Sequence, residues 1–397
     1  MKLLYLTFNY PPDLGAGSFR SKSLVDYLVK NSKPDDEIEV ITTFPNRYKG
    51  YILDTKEKEK KDNLIIHRIK LPNYFQNNLR LIINFFYFAF YAVKISRKKN
   101  YNIIFATSSR LLTGVLGALI AYSKNSCYYL DIRDIFLDNI YEIYPKFVSI
   151  ILSPFISLLE RFMLSQANKV NLISEGFKDY FKTKYPRKHY DYFTNGIDEE
   201  FNKLSTFKFE KNDKIVKKDQ IVNITYAGNI GKGQGLANIL PKLSTNLGKN
   251  VCFNIIGDGG EKAQLIKEIN KNPSSNIKLI EPVRRDELIK YYHNADILFL
   301  HLNNFKSFEK VLPSKIFEYG AIGKPIYAGL KGFSKTFLQR ELPNSYIFDP
   351  CDLDNAIKIY KNIELEIKNN SEFINKYLRS NVSQKMVESI VELNAKK

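Results

Sequence analysis

The sequence predicts an α/β fold with two domains, each built on a parallel sheet. The chain has 397 residues, which is more than one hydrophobic core usually organises. Short apolar runs recur along it with helical patterns between them, and this alternation is typical of parallel strands joined by crossover helices. The apolar fraction of 44% is that of an ordinary globular protein and excludes general disorder.

The predicted strands fall into two series separated by a polar linker. The first series is Leu3–Phe8, Ile38–Thr42, Leu64–Ile69, Ile103–Ala106, Cys127–Leu130 and Val170–Ile173. The second is Ile221–Ala227, Val251–Ile256, Ile277–Ile280, Ile297–Leu300, Pro325–Ala328 and Tyr346–Phe348. Residues 199–220 lack apolar periodicity and are predicted to link the two. We therefore expect one domain over 1–198, a second over 199–375, and a helix over 376–397 that crosses back to the first.

Charge and cysteine content narrow the cellular setting. The formal net charge of +18 favours anionic partners, although a lysine-biased composition is an equal explanation. No nucleic-acid-binding module is recognisable, so an anionic membrane surface is the better candidate. Three distant cysteines and four histidines without ligand spacing predict neither disulfides nor a metal site. Because Met1–Thr7 is too short for the apolar region of a signal peptide, we expect a cytosolic protein.

Two segments are unusually apolar. Residues 79–95 are too short and too polar for a typical membrane-spanning helix. A buried crossover helix is one interpretation, and a helix lying in the headgroup region of a membrane, next to the basic run Arg97–Lys99, is the other. The same alternatives apply to residues 143–164, where we expect Pro154 to break the helix.

In the first half, two segments at predicted strand ends carry candidate ligand-binding residues. The first strand runs into a loop with Gly15 and Gly17, followed by Arg20 on a helix. Glycine lets the backbone approach a phosphate or sugar, and arginine offers a fixed fork of donors, but an ordinary turn is the alternative. The fifth strand ends in a charged cluster that includes Arg133 and Asp134, which is either a site or a solvated ion pair.

In the second half, two glycine-rich turns follow predicted strands. Gly228, Asn229 and Gly231 lie in the first turn, and Gly257 and Asp258 lie in the second. Backbone amides in such turns can hold a diphosphate, because no side chain obstructs its approach. Each turn is a weak signal by itself, but both precede helices in the same predicted domain.

The most specific motif is Leu312–Tyr319. Pro313 is suited to the first position of a helix, so the motif predicts a helix N-terminus. The free amides near Ser314 and the charge of Lys315 would bind phosphate. Glu318 lies one turn later on nearly the same face, where a carboxylate can accept hydrogen bonds from ribose hydroxyls. An amphipathic helix with a surface lysine and glutamate is the alternative.

These motifs together resemble the family 4 glycosyltransferases of the GT-B fold, over nearly the whole chain. Within that family the chain looks most like bacterial transferases of the N-acetyl-L-fucosamine type, which assemble O-antigen and capsule repeats. The matching segments are Pro11–Arg20, Pro45–Tyr48, Asp131–Asp134, Asn195–Asp198, Gly228–Gly235, Gly257–Gly259 and Leu312–Tyr319.

The resemblance implies two doubly wound, Rossmann-like domains that face each other across a cleft, with the donor nucleotide on the C-terminal domain and the acceptor on the N-terminal domain. It implies transfer from a UDP-sugar to a lipid-diphosphate-linked glycan at the cytosolic face of the membrane, with retention of configuration and without a metal cofactor. The donor sugar is expected to be N-acetylated or deoxygenated. Arg133, Asp134, Lys315 and Arg20 are then the expected catalytic residues, and the glycine loops with Ser314 and Glu318 are expected to bind the donor.

Three departures from the family pattern affect this assignment. Lys310 stands where the first of two spaced glutamates is usual. Asn229 and Gln234 replace the usual arginine and lysine of the first C-domain loop, which leaves phosphate to Lys315, Arg20, Lys232 or backbone amides. Arg133 occupies the position of a frequent histidine.

Two other functions stay open at this stage. A UDP-sugar 2-epimerase of the same fold would use the same donor without a lipid acceptor. A basic protein that binds membranes or nucleic acid without catalysis would consume no donor.

Overall fold

A computed structural model describes residues 1–13, 15–45, 55–72, 78–201 and 221–395, without the side chains of residues 78–80 and 143. The chain forms two compact units, Met1–Gly196 with Arg379–Lys397, and Ile197–Leu378. The boundaries expected from the sequence fall after residues 198 and 375. Residues 202–220 of the expected linker and residues 46–48 of the family-like motif lie outside the described residues.

The first unit is built on a sheet that, within the described residues, has eight strands in the order β3-β4-β2-β1-β5-β6-β7-β8. All neighbours are parallel except β3, which pairs antiparallel with β4. The strands are β1 (Lys2–Leu6), β2 (Glu37–Thr43), β3 (Lys58–Lys61), β4 (Leu64–Ile69), β5 (Ile103–Thr107), β6 (Cys127–Ile132), β7 (Lys169–Leu172) and β8 (Tyr190–Asp191). The six predicted strands are present, and the charged β3 and the two-residue β8 were not predicted because they lack an apolar pattern.

Helices flank this sheet. They are α1 (Ala16–Lys30), α2 (Asn78–Ser96), α3 (Leu111–Lys124), α4 (Phe136–Ile143), α5 (Lys146–Gln166) and α6 (Lys178–Lys184), with a 3₁₀ turn at Glu175–Phe177. The expected break at Pro154 is wrong, because α5 continues through it. The chain breaks at Tyr144 and Pro145 instead, between α4 and α5. Proline has a fixed φ and no N–H group to donate. Neither property disturbs a helix at the position of Pro145, which immediately precedes α5.

The second unit is built on a sheet whose described strands are all parallel, in the order β11-β10-β9-β12-β13-β14. These are β9 (Val222–Ala227), β10 (Val251–Ile256), β11 (Ile277–Ile280), β12 (Ile297–His301), β13 (Ile326–Gly329) and β14 (Ser345–Phe348). The helices are α7 (Leu236–Leu247), α8 (Lys262–Asn270), α9 (Arg285–Asn294), α10 (Lys315–Ile322), α11 (Gly332–Glu341), α12 (Leu353–Tyr360) and α13 (Ser371–Tyr377), with a 3₁₀ turn at Lys306–Lys310. Buried apolar residues cover both faces of this sheet, as a parallel sheet requires.

The last helix, α14 (Arg379–Ala395), belongs to the first unit. It packs on α1, where the hydroxyls of Ser23 and Ser383 lie 2.9 Å apart. Met386 and Ile390 are almost fully buried in the same apolar core as strands β1 and β5. This helix therefore completes the core of the first unit.

Each sheet has one point at which the chain reverses its direction of winding. In the first unit this point lies between β1 and β5, and in the second between β9 and β12. Ligands of open α/β sheets bind beyond the carboxyl ends of the strands at such a point. The loops that follow β1 and β5, and those that follow β9 and β12, are therefore the places to examine for function.

Candidate functional site

Glycines allow the loops after β9 and β10 to touch in the second unit. Gly228 has φ +146°, and Gly257 has φ +150°. A Cβ atom on Gly257 would lie 1.9 Å from the carbonyl oxygen of Gly228, and one on Gly259 would lie 2.4 Å from that of Ile230. No other residue type fits these contacts without moving the backbone. The result is a close contact between two loops, in which the N–H groups of Gly228 and Ile230 donate to the carbonyls of Ile256 and Asp258 at 2.8 Å.

The helix that begins at Lys315 brings a positive charge to this turn. The Nζ atom of Lys315 lies 5.1 Å from the centre of the Tyr226 ring. A Cβ atom on Gly228 would lie 2.2 Å from the same Nζ atom. No side chain caps the first turn of α10, whose cap residue is Ser314. The helix was expected to begin at Pro313, but it begins two residues later, at Lys315. The Pro313 carbonyl accepts a hydrogen bond from Ile316 N–H at 3.2 Å, which forms a tight turn before the helix. Lys315, the N-terminus of α10 and the glycine turn thus meet at the reversal point of the sheet.

Glu318 has a hydrogen-bonding partner that the sequence did not indicate. The hydroxyl of Tyr292 donates to Glu318 Oε2 at 3.1 Å. Burial raises the pKa of Tyr292 well above its ordinary value, and the nearby Glu318 charge adds to this, so the hydroxyl stays protonated and keeps donating. Glu318 is half-buried one turn after Lys315, which leaves its carboxylate suited to a ligand hydroxyl.

Asn229 and Gln234 close the first glycine turn on itself. Asn229 Nδ2 donates to Gln234 Oε1 at 2.9 Å, and the Tyr226 hydroxyl donates to the Asn229 carbonyl at 2.6 Å. Gly231 packs against the Asn229 amide, since a Cβ atom there would lie 2.4 Å from Nδ2. Asp258 is exposed and accepts from Gly259 N–H at 2.8 Å. These side chains shape the two turns, and the N–H groups of Gly228, Ile230 and Gly257 donate to main-chain carbonyls.

His301, at the end of β12, is a further residue that sequence reasoning did not single out. It is fully buried, its Nδ1 lies 2.6 Å from the Gln234 carbonyl, and its Nε2 accepts from Cys351 N–H at 3.1 Å. Burial lowers the pKa of the His301 ring to about 4, so the ring is neutral and Nδ1–H donates. The ring ties the end of the glycine turn to the start of α12. The sequence signal that could have identified His301 was its position at the end of a central predicted strand.

In the first unit, the structure places Arg20 differently from the expectation. Its guanidinium is buried and donates to the carbonyls of Thr194 and, at 2.9 Å, Phe193, and to Asp131 at 3.2 Å. These partners lie far along the chain, so Arg20 fastens the segment after β8 to the end of β6. Two of the guanidinium nitrogens thus donate to the protein, whereas Nε is buried without a hydrogen-bond partner among the described residues, and the expected contact of Arg20 with a donor phosphate stays a prediction.

The pKa values of Asp131 and Asp134 are shifted in opposite directions. Burial would raise the pKa of Asp131, but the charges of Arg20 and Arg133 outweigh it and hold that pKa below the usual value. Burial raises the pKa of Asp134 to about 6, against the opposing charge of Arg133. Asp134 can therefore exchange a proton near neutral pH, which is the property of a general acid or base. Arg133 is half-buried, with one guanidinium nitrogen 3.5 Å from Asn195 Oδ1.

Gly15 and Gly17 frame the start of α1. Gly15 is the residue before the helix and has extended backbone, with φ 164°. A Cβ atom on Gly17 would meet nothing within 4 Å, so packing does not require glycine there. The two glycines therefore lie at the start of α1, and their predicted contact with the donor stays a prediction.

Among the residues that the structure describes, no group of three or more His, Cys, Asp or Glu is placed to hold a metal ion. The second unit thus offers an anion site made of Lys315, the N-terminus of α10 and the backbone of the glycine turns, with Glu318 one helical turn after Lys315. The first unit offers Arg133 and Asp134. The structure brings Lys315 to Gly228, but Arg20 is directed into the protein.

Comparisons with known proteins bear on the family and on the fold. Residues 207–377 match the family described as Glycosyl transferases group 1. The fold is similar to that of Anabaena HepE in complex with UDP and glucose, at 15% identity over 100% of this chain and 98% of that chain, with a TM-score of 0.59. It is also similar to the lipopolysaccharide outer core galactosyltransferase WaaB, at 12% identity over 98% and 99% of the two chains, with a TM-score of 0.63.

A third similar structure is WaaG, a glycosyltransferase involved in lipopolysaccharide biosynthesis, at 10% identity over 99% of this chain and 98% of that chain, with a TM-score of 0.62. No curated protein matches the sequence. The two parallel-sheet units confirm the predicted α/β fold of the GT-B type. The chain is therefore a glycosyltransferase of the GT-B fold, and its second unit carries a Glycosyl transferases group 1 domain.

Proposed function

We propose that this enzyme transfers a sugar from a UDP-sugar to a lipid-diphosphate-linked oligosaccharide during assembly of a surface polysaccharide such as O-antigen or capsule. The observation that carries the proposal is the meeting of Lys315, the N-terminus of α10 and the Gly228 turn at the reversal point of the second sheet. Similar structures that contain UDP support the choice of nucleotide. The sequence motifs support placement in family 4, near the N-acetyl-L-fucosamine-type transferases, and an N-acetylated or deoxygenated donor sugar.

The chemistry of the second unit follows from charge. As the bond to the sugar breaks, the leaving diphosphate gains negative charge and the sugar becomes positively charged. Lys315 and the partial positive charge at the N-terminus of α10 stabilise the diphosphate without a metal ion. Glu318, oriented by Tyr292, accepts hydrogen bonds from the ribose. We propose retention of configuration, in line with a similar trehalose-6-phosphate synthase whose glycosyltransfer proceeds with retention.

The proposed acceptor requires a membrane, and the first unit has an apolar surface to meet it. Helix α5 is long and apolar enough to cross a membrane by length and composition, with a mean hydropathy of 1.7 over a window that is 22% buried. Its Met163 and Leu164 are buried, whereas Ile151 is 71% exposed. One face thus packs on the unit and the other is exposed, which fits a helix lying on a membrane better than one crossing it.

Two neighbouring helices extend this surface. Helix α3 packs between α2 and α5, and α2 is neither fully buried nor fully exposed, since Phe88 is buried and Phe86 is exposed. The apolar surface consists of Ile82, Ile83, Phe86, Phe90, Leu119, Tyr122, Phe147, Ile150, Ile151, Phe155 and Leu158. Exposed Arg97 and Lys98 follow α2, and Arg161 lies on α5. We therefore propose a peripheral location on the inner face of the cell membrane, with the basic residues on anionic lipid.

The test is a reaction of the purified enzyme with a panel of UDP-sugars and a lipid-diphosphate-linked glycan. The expected product is the acceptor enlarged by one sugar, identified by mass, with UDP released in equal amount. Formation of an epimerised UDP-sugar without acceptor would instead show a 2-epimerase. If no UDP-sugar is consumed with any acceptor, the proposed donor class is wrong.

A further inference from the structure

Arg110 occupies the reversal point of the first sheet. It follows β5 directly and is the residue before α3, a helix of 14 residues. No side chain caps the start of α3, and no acidic residue lies in its first turn. The helix therefore presents free amides and a partial positive charge at the place where an open α/β sheet binds ligands.

The guanidinium of Arg110 is held by stacking. Its central carbon lies 3.8 Å from the centre of the Phe8 ring, at the end of β1. Phe8 is fully buried and also contacts Phe88, with ring centres 5.3 Å apart. The stack uses the flat face of the guanidinium, so the N–H groups in its plane stay available. Within the described residues, no group accepts a hydrogen bond from them.

The surroundings of Arg110 are polar and incompletely paired. The hydroxyls of Ser109 and Thr113, on either side of it in sequence, are buried without a hydrogen-bond partner among the described residues. Burial lowers the pKa of Arg110, and the charge of buried Asp13 opposes that shift, so the guanidinium stays charged. Unpaired buried donors are costly, and a bound anion is a partner that would satisfy them.

Two of the predicted catalytic residues of the first unit, Arg133 and Asp134, lie next to this place. The Ser108 hydroxyl, two residues before Arg110, accepts from the Arg133 backbone N–H at 3.3 Å. Asp134 follows Arg133 at the end of β6, which pairs with β5. A ligand held by Arg110 would therefore lie beside the group with proton-exchange capacity near neutral pH.

We propose that Arg110, with the N-terminus of α3, binds a phosphate group of the acceptor. The planar fork fits two phosphate oxygens at once, and the helix amides complete the anion site. The identification of the phosphate as the acceptor's diphosphate rests on the proposed function, whereas the anion site itself does not. Inorganic pyrophosphate and a lipid diphosphate share this chemistry, and the experiment separates them.

The first arm measures binding of inorganic pyrophosphate by calorimetry to the wild type, Arg110→Gln and Arg110→Lys, in the presence of saturating UDP so that the second unit is occupied. Arg110→Gln should weaken binding about 10- to 100-fold, as loss of a charged two-bond contact does, and Arg110→Lys should fall between. Arg187→Gln removes an exposed arginine from the same unit and should bind like the wild type. Thermal unfolding of each variant checks the fold.

The second arm measures KM for a diphosphate-linked lipid acceptor and for a neutral glycoside with the same glycan. In Arg110→Gln, the ratio of the neutral KM to the diphosphate KM should fall about 10- to 100-fold. An unchanged ratio would overturn the acceptor assignment even if pyrophosphate binding is lost. Unchanged pyrophosphate binding would overturn the anion site. If the wild type transfers no sugar, the proposed function fails, and the first arm still decides the anion site.

Discussion

Replacing Lys315 with Ala should separate catalysis from stability. The ammonium lies against Gly228 and 5.1 Å from the Tyr226 ring centre, where it can bind the leaving diphosphate. A preorganised donor aimed at charge that develops in the transition state contributes about 2.7 to 4 kcal/mol, so kcat should fall about 100- to 1,000-fold. The contact with Tyr226 contributes only about 0.5 to 1 kcal/mol, so Tm should fall by no more than about 4 °C.

The assay is steady-state release of UDP from the preferred donor and acceptor, with Tm measured on the same preparations. Lys267→Ala removes an exposed lysine from α8 of the same unit and should leave both values unchanged. A kcat for Lys315→Ala within about threefold of the wild type would refute the role of Lys315, since that change is far smaller than the loss of one such donor. A large fall in Tm would show instead that the lysine mainly stabilises the fold.

Four further outcomes are expected. Gly228→Ala should weaken UDP binding by about 10-fold in calorimetry, because the new Cβ meets Lys315 at a positive φ, whereas Gly260→Ala, with open space around it, should bind normally. The turnover rate should rise as pH increases through about 6, where Asp134 ionises, and Asp134→Asn should be about 100-fold slower without that step. The pKa of His301 is about 4 in the folded protein and 6.5 in the unfolded chain, so the free energy of unfolding should fall by about 3 kcal/mol as the pH is lowered from above 6.5 to 4. The free energy of unfolding of His301→Gln, measured with urea, should lack this pH dependence. Ile151→Asp should weaken sedimentation with anionic vesicles by about 10-fold, and equal binding would contradict the membrane orientation.

The fold was predictable because the buried strands of parallel sheets are continuous apolar runs. The charged strand β3 was missed, since its residues carry no apolar pattern and gain their place by pairing with β4. The Lys315 segment was predictable because proline, helix and glycine signals lie close together in sequence.

The rest of the site depends on contacts between distant residues. The buried contacts of Arg20 could not be predicted, because one of the carbonyls that it binds belongs to Thr194, 174 residues away. Tyr292, His301 and Arg110 were missed for the same reason. Each acquires its role from strand order, which decides the neighbours at the carboxyl edge of each sheet, and local sequence patterns do not state that order.

The position of α14 has a consequence for the order of folding. The first unit takes its strands from the beginning of the chain, but Met386 and Ile390 of its core are made after the whole second unit. During synthesis, the apolar groove beside α1 in the first unit therefore stays uncovered until the last helix has been made. The second unit, continuous from Ile197 to Leu378, can close its own core earlier. The core of the first unit is thus expected to be completed only when α14 docks, after the chain of the second unit has been made.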